Sequence, residues 1–158
     1  MRYKLLLCMN FIRCLVRSVL SPIHIYTDGS LKAGKGAWAF VIVRGDRVIL
    51  ESFGVGRNTT SNRMEFHAAI EAVKRVSAFR RIHLFTDSRV LLEAVEKLDE
   101  WRSLGWVKKN SAPIPSVDQM KELDRLIRGR SIQWSWVRAH SGNPYNERCD
   151  QLCIKARD

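Results

Sequence analysis

The chain has 158 residues, 46% hydrophobic and 27% charged, with 27 Lys and Arg against 16 Asp and Glu. This is room for one domain with a sizeable core, and no low-complexity stretch or interdomain linker argues for more. A net charge of +11 and a pI near 10.0 favour a polyanionic partner, nucleic acid before an anionic membrane surface.

Residues 1–22 are apolar and basic. Leu5-Leu6-Leu7, Phe11-Ile12, Leu15-Val16 and Val19-Leu20 are interrupted by Arg13 and Arg17, and the segment carries +4 with no acid. It is too short and too charged for a bilayer span, and no small-residue cleavage site follows it. A targeting presequence, an amphipathic surface helix and residues ahead of an internal start all stay open. The domain proper is expected over 23–158. Cys8, Cys14, Cys149 and Cys153 form no disulfide framework, and the spacing of Cys149 and Cys153 matches no common zinc site. Buried thiols in a reducing cytoplasm are the expectation, with no membrane association for 23–158 and a monomer.

Ile23–Thr27 reads as the first strand, followed by a turn over Lys32-Ala33-Gly34-Lys35-Gly36. Ala37–Val43 and Val48–Val55 read as two further strands joined tightly through Arg44–Arg47, completing an antiparallel meander. Asn58–Asn62 is rich in helix N-cap residues, and a helix is expected from Arg63 to Ser77 with Met64, Ala68, Ala72, Val73 and Val76 inward. Ile82–Thr86 is the fourth strand, and a helix starts beside Ser88. Glu100–Asn110 sets Trp101 and Trp106 among Arg102, Lys108 and Lys109. A loop at Ala112–Ser116 leads to a helix over Val117–Ile127, stopped by Gly129. Ile132–Val137 is the fifth strand, and the last helix runs from Tyr145 to Ala156. The order βββαβααβα is an α/β fold: a five-stranded mixed sheet, three strands antiparallel and two parallel, flanked by helices.

Two strands end alike, in Tyr26-Thr27-Asp28-Gly29-Ser30 and Phe85-Thr86-Asp87-Ser88. The aspartates are 59 residues apart, room for a crossover that would lay the strands parallel and adjacent. Asp28 and Asp87 would then face each other at the carboxyl ends, where open α/β sheets carry their chemistry. Glu65 and Asp150, each early in a helix, are candidates to join them. Four carboxylates within about 5 Å repel strongly unless a cation intervenes, and oxygen donors suit Mg²⁺ or Mn²⁺. On a basic chain this pattern fits two-metal phosphodiester hydrolysis. His140, in a loop ahead of Asp150, is placed to carry a proton or assist product release.

From Ile23 to about Ala156 the chain resembles ribonuclease H type 1. The likeness rests on Tyr26–Ser30, Asn62-Arg63-Met64-Glu65, Phe85–Ser88, Trp134-Ser135-Trp136-Val137-Arg138-Ala139-His140 and Asn146-Glu147-Arg148-Cys149-Asp150, five motifs in order. The resemblance implies an RNase H-like fold and an endonuclease that cuts the RNA strand of RNA·DNA hybrids, leaving 5′-phosphate and 3′-hydroxyl ends. It implies two Mg²⁺ ions, with Mn²⁺ as a substitute, held by Asp28, Glu65, Asp87 and Asp150, and His140 assisting turnover. It also implies minor-groove reading by Asn62, and substrate contacts from Gly29, Ser30, Thr60, Ser61 and Ser88. Trp101, Trp106, Lys108 and Lys109 resemble the family's basic protrusion, a further hold on the DNA strand. The chain departs from the pattern in its short turn after Ser30, in Arg89 where many members carry Gln, and in the absence of lysine from Ser111–Ser116. A different nuclease on the same fold and a non-catalytic nucleic-acid-binding module stand as alternatives.

Overall fold

The structure, a computed structural model, describes residues 21–79 and 81–158. The expectations for the apolar basic segment 1–20 lie outside the described residues. The elements are β1 (Ile23–Lys32), β2 (Lys35–Arg44), β3 (Arg47–Gly56), α1 (Ser61–Arg75), β4 (Ile82–Thr86), α2 (Arg89–Ser103), α3 (Val117–Ile127), β5 (Ile132–Trp136) and α4 (Pro144–Arg157). The sheet runs β3-β2-β1-β4-β5, with β1–β2 and β2–β3 antiparallel and β1–β4 and β4–β5 parallel. This is the expected order and topology.

Alternation along the strands divides the interior in two. Ile23, Ile25, Phe40, Ile42 and Leu84 pack with Phe66, Ile70 and Val73 of α1, Leu91 and Leu98 of α2, and Met120 and Leu123 of α3. On the opposite side Tyr26, Ala39, Val41 and Val43 meet Cys149, Leu152 and Cys153 of α4. Strand β2 is therefore covered on both faces, and its unbroken run Ala37–Val43 follows from that.

Several boundaries differ from expectation, and those around the site have identifiable causes. Strand β1 does not stop at Thr27. Its parallel ladder with β4 ends at Thr27↔Thr86, but its antiparallel ladder with β2 continues to Lys32↔Lys35. Asp28 thus sits where one ladder ends and the other goes on. The turn after Ser30 shrinks to Ala33 and Gly34, both at positive φ (50° and 76°), as a two-residue hairpin requires. Helix α1 starts at Ser61, because Thr60 is its N-cap, accepting from the Arg63 N–H at 3.2 Å. Trp101 belongs to α2, whereas Trp106 lies beyond it in a turn at φ 68°, its N–H donating to the Trp101 carbonyl at 2.7 Å.

Among the described residues β3 is an edge of the sheet, and Val48, Ile49, Leu50, Phe53 and Val55 are exposed along it.

Candidate metal centre and nucleic-acid groove

Glycine at position 29 brings the acids together. A Cβ there would lie 2.1 Å from the Glu65 nitrogen and 2.3 Å from the Met64 carbonyl carbon, so the first turns of α1 rest directly on β1. Ser61 reinforces the contact, its hydroxyl donating to the Gly29 carbonyl at 3.3 Å. Glu65 is thereby buried beside Asp28, and the parallel pairing of Thr27 with Thr86 sets Asp87 alongside. One carboxylate oxygen from each of Asp28, Glu65 and Asp87 lies within 4.8 Å of the other two.

The electrostatics of this triad are unfavourable to the protein alone. Burial, then the neighbouring Asp87 and Asp150, raise the Asp28 carboxyl from 3.8 to about 6. Burial, Asp28 and Asp87 raise Glu65 well above its ordinary value. Asp28 Oδ2 and Glu65 Oε2 are buried without a hydrogen-bond partner among the described residues. Hard oxygen donors that converge and repel one another, two of them without a described partner, suit a divalent cation, so the triad can hold one.

Asp87 is positioned from two sides. Asn146 Nδ2 donates to its Oδ2 at 3.2 Å, and the Trp136 indole N–H donates to its backbone carbonyl at 3.1 Å. Asn146 is 3% exposed, and sequence reading gave it no role of its own. The signal was its place within the Asn146–Asp150 motif, one helical turn before Asp150 on α4. Asn146→Ala is expected to raise the metal concentration needed for half-maximal activity roughly tenfold or more, as loss of an outer partner of a metal ligand does. A divalent-metal titration of activity checks it, and an unchanged midpoint refutes the positioning role.

Asp150 does not join the three acids within 4.8 Å, contrary to the four-acid cluster expected. It is carried by α4 on the other side of the sheet, and its side chain remains 37% exposed. Its charge still reaches Asp28, whose carboxyl it helps to raise. His140 Nδ1 lies 4.0 Å from Asp150 Oδ2. The His140 backbone is left-handed (φ 50°), and its loop is held by Ser141 Oγ donating to the Arg138 carbonyl at 2.6 Å and by the Gly142 N–H donating to Glu147 at 2.9 Å. Cys149 and Cys153 lie in the core between α4 and β1, their thiols donating to the carbonyls of Tyr26 (3.3 Å) and Asp28 (3.6 Å). Burial raises both thiols, which keeps them protonated and unsuited to zinc.

The other expected contacts divide by place. The Thr60 hydroxyl caps α1, and the Ser88 hydroxyl caps α2, accepting from the Leu91 N–H at 3.2 Å. Ser30 Oγ accepts from the Arg157 guanidinium. Thr60 and Asn62 share a groove of about 560 Å³ with Lys97, Trp101 and Lys108. Trp101 and Trp106 are half-buried against the main core, with the Lys121 ammonium 5.8 Å from the Trp106 ring centre. Lys109 lies outside the groove lining and pairs with Glu100 at 3.5 Å. Arg89 stacks on exposed Trp136, its guanidinium carbon 4.6 Å from the ring centre.

Comparison with known proteins gives a consistent result. The RNase H family model matches residues 21–158. A ribonuclease H of Aeromonas salmonicida is 41% identical over 143 residues, covering 89% of this chain and 90% of that one. Among solved structures, LC9-RNase H1, a type 1 RNase H with the type 2 active-site motif, superposes with a TM-score of 0.75 at 25% identity over 86% of this chain and 72% of that one. The foamy viral protease-reverse transcriptase in complex with an RNA/DNA hybrid shares the fold at a TM-score of 0.73 and 17% identity, over 86% of this chain and 20% of that one.

Proposed function

This chain belongs to the RNase H family and is a hydrolytic nuclease; on that premise we propose that it cuts the RNA strand of RNA·DNA hybrids by two-metal-ion catalysis, leaving 5′-phosphate and 3′-hydroxyl ends. The observation that carries the reading is the triad of Asp28, Glu65 and Asp87, in which Asp28 Oδ2 and Glu65 Oε2 are buried with no hydrogen-bond partner among the described residues. A silent binding module would gain by losing these charges, which repel the phosphates it would bind.

In this reading Asp28, Glu65 and Asp87 hold Mg²⁺ at the scissile phosphate, with Asp150 completing the set. Bound there, the metal supplies Lewis-acid stabilisation of charge and activates the attacking water. Asn146 keeps Asp87 aimed at the site. His140, exposed beside Asp150, takes up a proton or helps product leave. The groove from Thr60 and Asn62 to Trp101 and Lys108 receives the uncut strand, with short polar groups toward the wide minor groove of an A-like duplex.

The test is an end-labelled hybrid incubated with Mg²⁺ beside duplex RNA and duplex DNA. Cutting confined to the RNA strand of the hybrid is expected; binding without cutting in Mg²⁺ and Mn²⁺ overturns the proposal. His140→Ala is expected to lower kcat about tenfold to a hundredfold with cleavage still measurable. Complete loss in a turnover assay would give His140 a different role.

A further inference from the structure

A second charged feature lies at the far end of β1. A pocket of about 280 Å³ between the β1–β2 hairpin and the end of α4 is lined by Lys32, Lys35, Ile154, Arg157 and Asp158. Lys32 and Lys35 are direct partners across the two strands. Like charges placed so destabilise a sheet, and both lysines are exposed. Arg157 adds a third cation, and Asp158 offsets only one of the three. The group is held in place: Lys35 Nζ donates to the Arg157 carbonyl at 3.2 Å, and the Arg157 guanidinium donates to Ser30 Oγ. A local rule is broken here with incomplete compensation, which is the mark of a surface kept for a ligand.

The period of the strand connects this pocket to the metal centre. Asp28, Ser30 and Lys32 alternate onto one face of β1, so the cations begin two residues from the buried acid and extend to four. At about 3.3 Å per residue, Lys32 stands roughly 13 Å from Asp28 along the strand. A strand of a helical duplex rises about 3.4 Å per nucleotide along the axis but winds around it, so successive phosphates lie roughly 6 Å apart and this span matches about two of them. A strand with its scissile phosphate over Asp28 and its backbone along β1 would carry its neighbouring phosphates past Arg157 and the hairpin. The shortened turn after Ser30 is what brings the two lysines there.

We propose that Lys32, Lys35 and Arg157 form an anion-binding track for the backbone of the cleaved strand, holding phosphates about two nucleotides from the bond that is cut. This rests on the hybrid-cleavage reading above.

The experiment measures hybrid binding by fluorescence anisotropy against salt concentration, without metal, in protein carrying Asp87→Asn so that nothing is cut. Adding Lys32→Ala and Lys35→Ala is expected to flatten the slope of log affinity against log salt by about 1.5–2. It should weaken binding roughly tenfold to thirtyfold near 0.15 M salt. The melting temperature should hold or rise, since a like-charge pair is removed. An unchanged slope overturns the track. Neutral methylphosphonate linkages at the second and third RNA positions from the cut should cost the parent protein the same affinity and the lysine variant almost none. If neutral linkages in the DNA strand do this instead, the assignment to the cleaved strand is overturned. Hybrid cleavage by the wild-type chain separates the two failures: an unchanged slope with normal cleavage removes only the track, whereas no cleavage of any hybrid removes the reading beneath it.

Discussion

Asp87→Asn is expected to reduce hybrid cleavage at least about a thousandfold, equivalent to roughly 4 kcal/mol of transition-state stabilisation, while leaving the fold unchanged. Asp87 is only half-buried, and its backbone carbonyl, not its side chain, receives the Trp136 indole N–H. An asparagine can still present an oxygen to Asn146 Nδ2, so the side chain keeps its place and loses only its charge. The loss should appear in kcat at saturating hybrid, with far-ultraviolet dichroism and melting near wild type. Activity within tenfold of wild type would remove Asp87 from the metal site.

Asp28→Asn should act on stability as well as activity. The folded protein holds the Asp28 proton up to about pH 6, against an ordinary value of 3.8. Between those values the folded state binds more protons than the unfolded one, so stability falls as pH rises through the window, and the penalty is complete above it. At about 1.4 kcal/mol per unit, the metal-free protein carries on the order of 2–3 kcal/mol of strain from this one group at neutral pH. Removing the charge should raise the melting temperature of the metal-free protein by roughly 5–10 °C at pH 7.5 and by much less near pH 4. Divalent cation should recover much of the same stability in wild type and little in the variant. An equal gain at both pH values would mean that the acid triad is not its source. Hybrid cleavage should be lost in the variant at every pH.

The sheet and the pairing of two of the acids were legible from sequence because both are periodic properties. Apolar runs of strand length, bounded by turn residues, give the order βββαβααβα. The repeated Thr-Asp ending becomes a spatial pair through the Thr27↔Thr86 register. What was not legible depends on approach distances. That α1 lies against β1 closely enough to bury Glu65 follows from the missing Cβ of Gly29, and a glycine after an aspartate reads locally as a turn. Asp150 stands apart because of how α4 docks through Cys149, Leu152 and Cys153, which no spacing rule contains. Asn146 went without a role for a related reason. Its backbone N–H donates to the capping Asn143 Oδ1 at 3.1 Å, which gives the residue a place in the helix cap without reference to the partner of its side chain. The resemblance groups Trp101 and Trp106 with Lys108 and Lys109 as one basic protrusion. The structure packs both tryptophans against the core and keeps Trp101 and Lys108 on the groove.

The edge of β3, uncovered among the described residues, bears on how the chain behaves as a colloid. Its apolar side chains and unpaired peptide groups offer a template on which another copy's strand could be added. Against that stands a net charge of +11, whose repulsion keeps copies apart only over the Debye length. Solubility is therefore an electrostatic property of this molecule. Salt that loosens it from nucleic acid also screens copies from one another, so stripping the polyanion and keeping the protein dispersed make opposite demands on one variable.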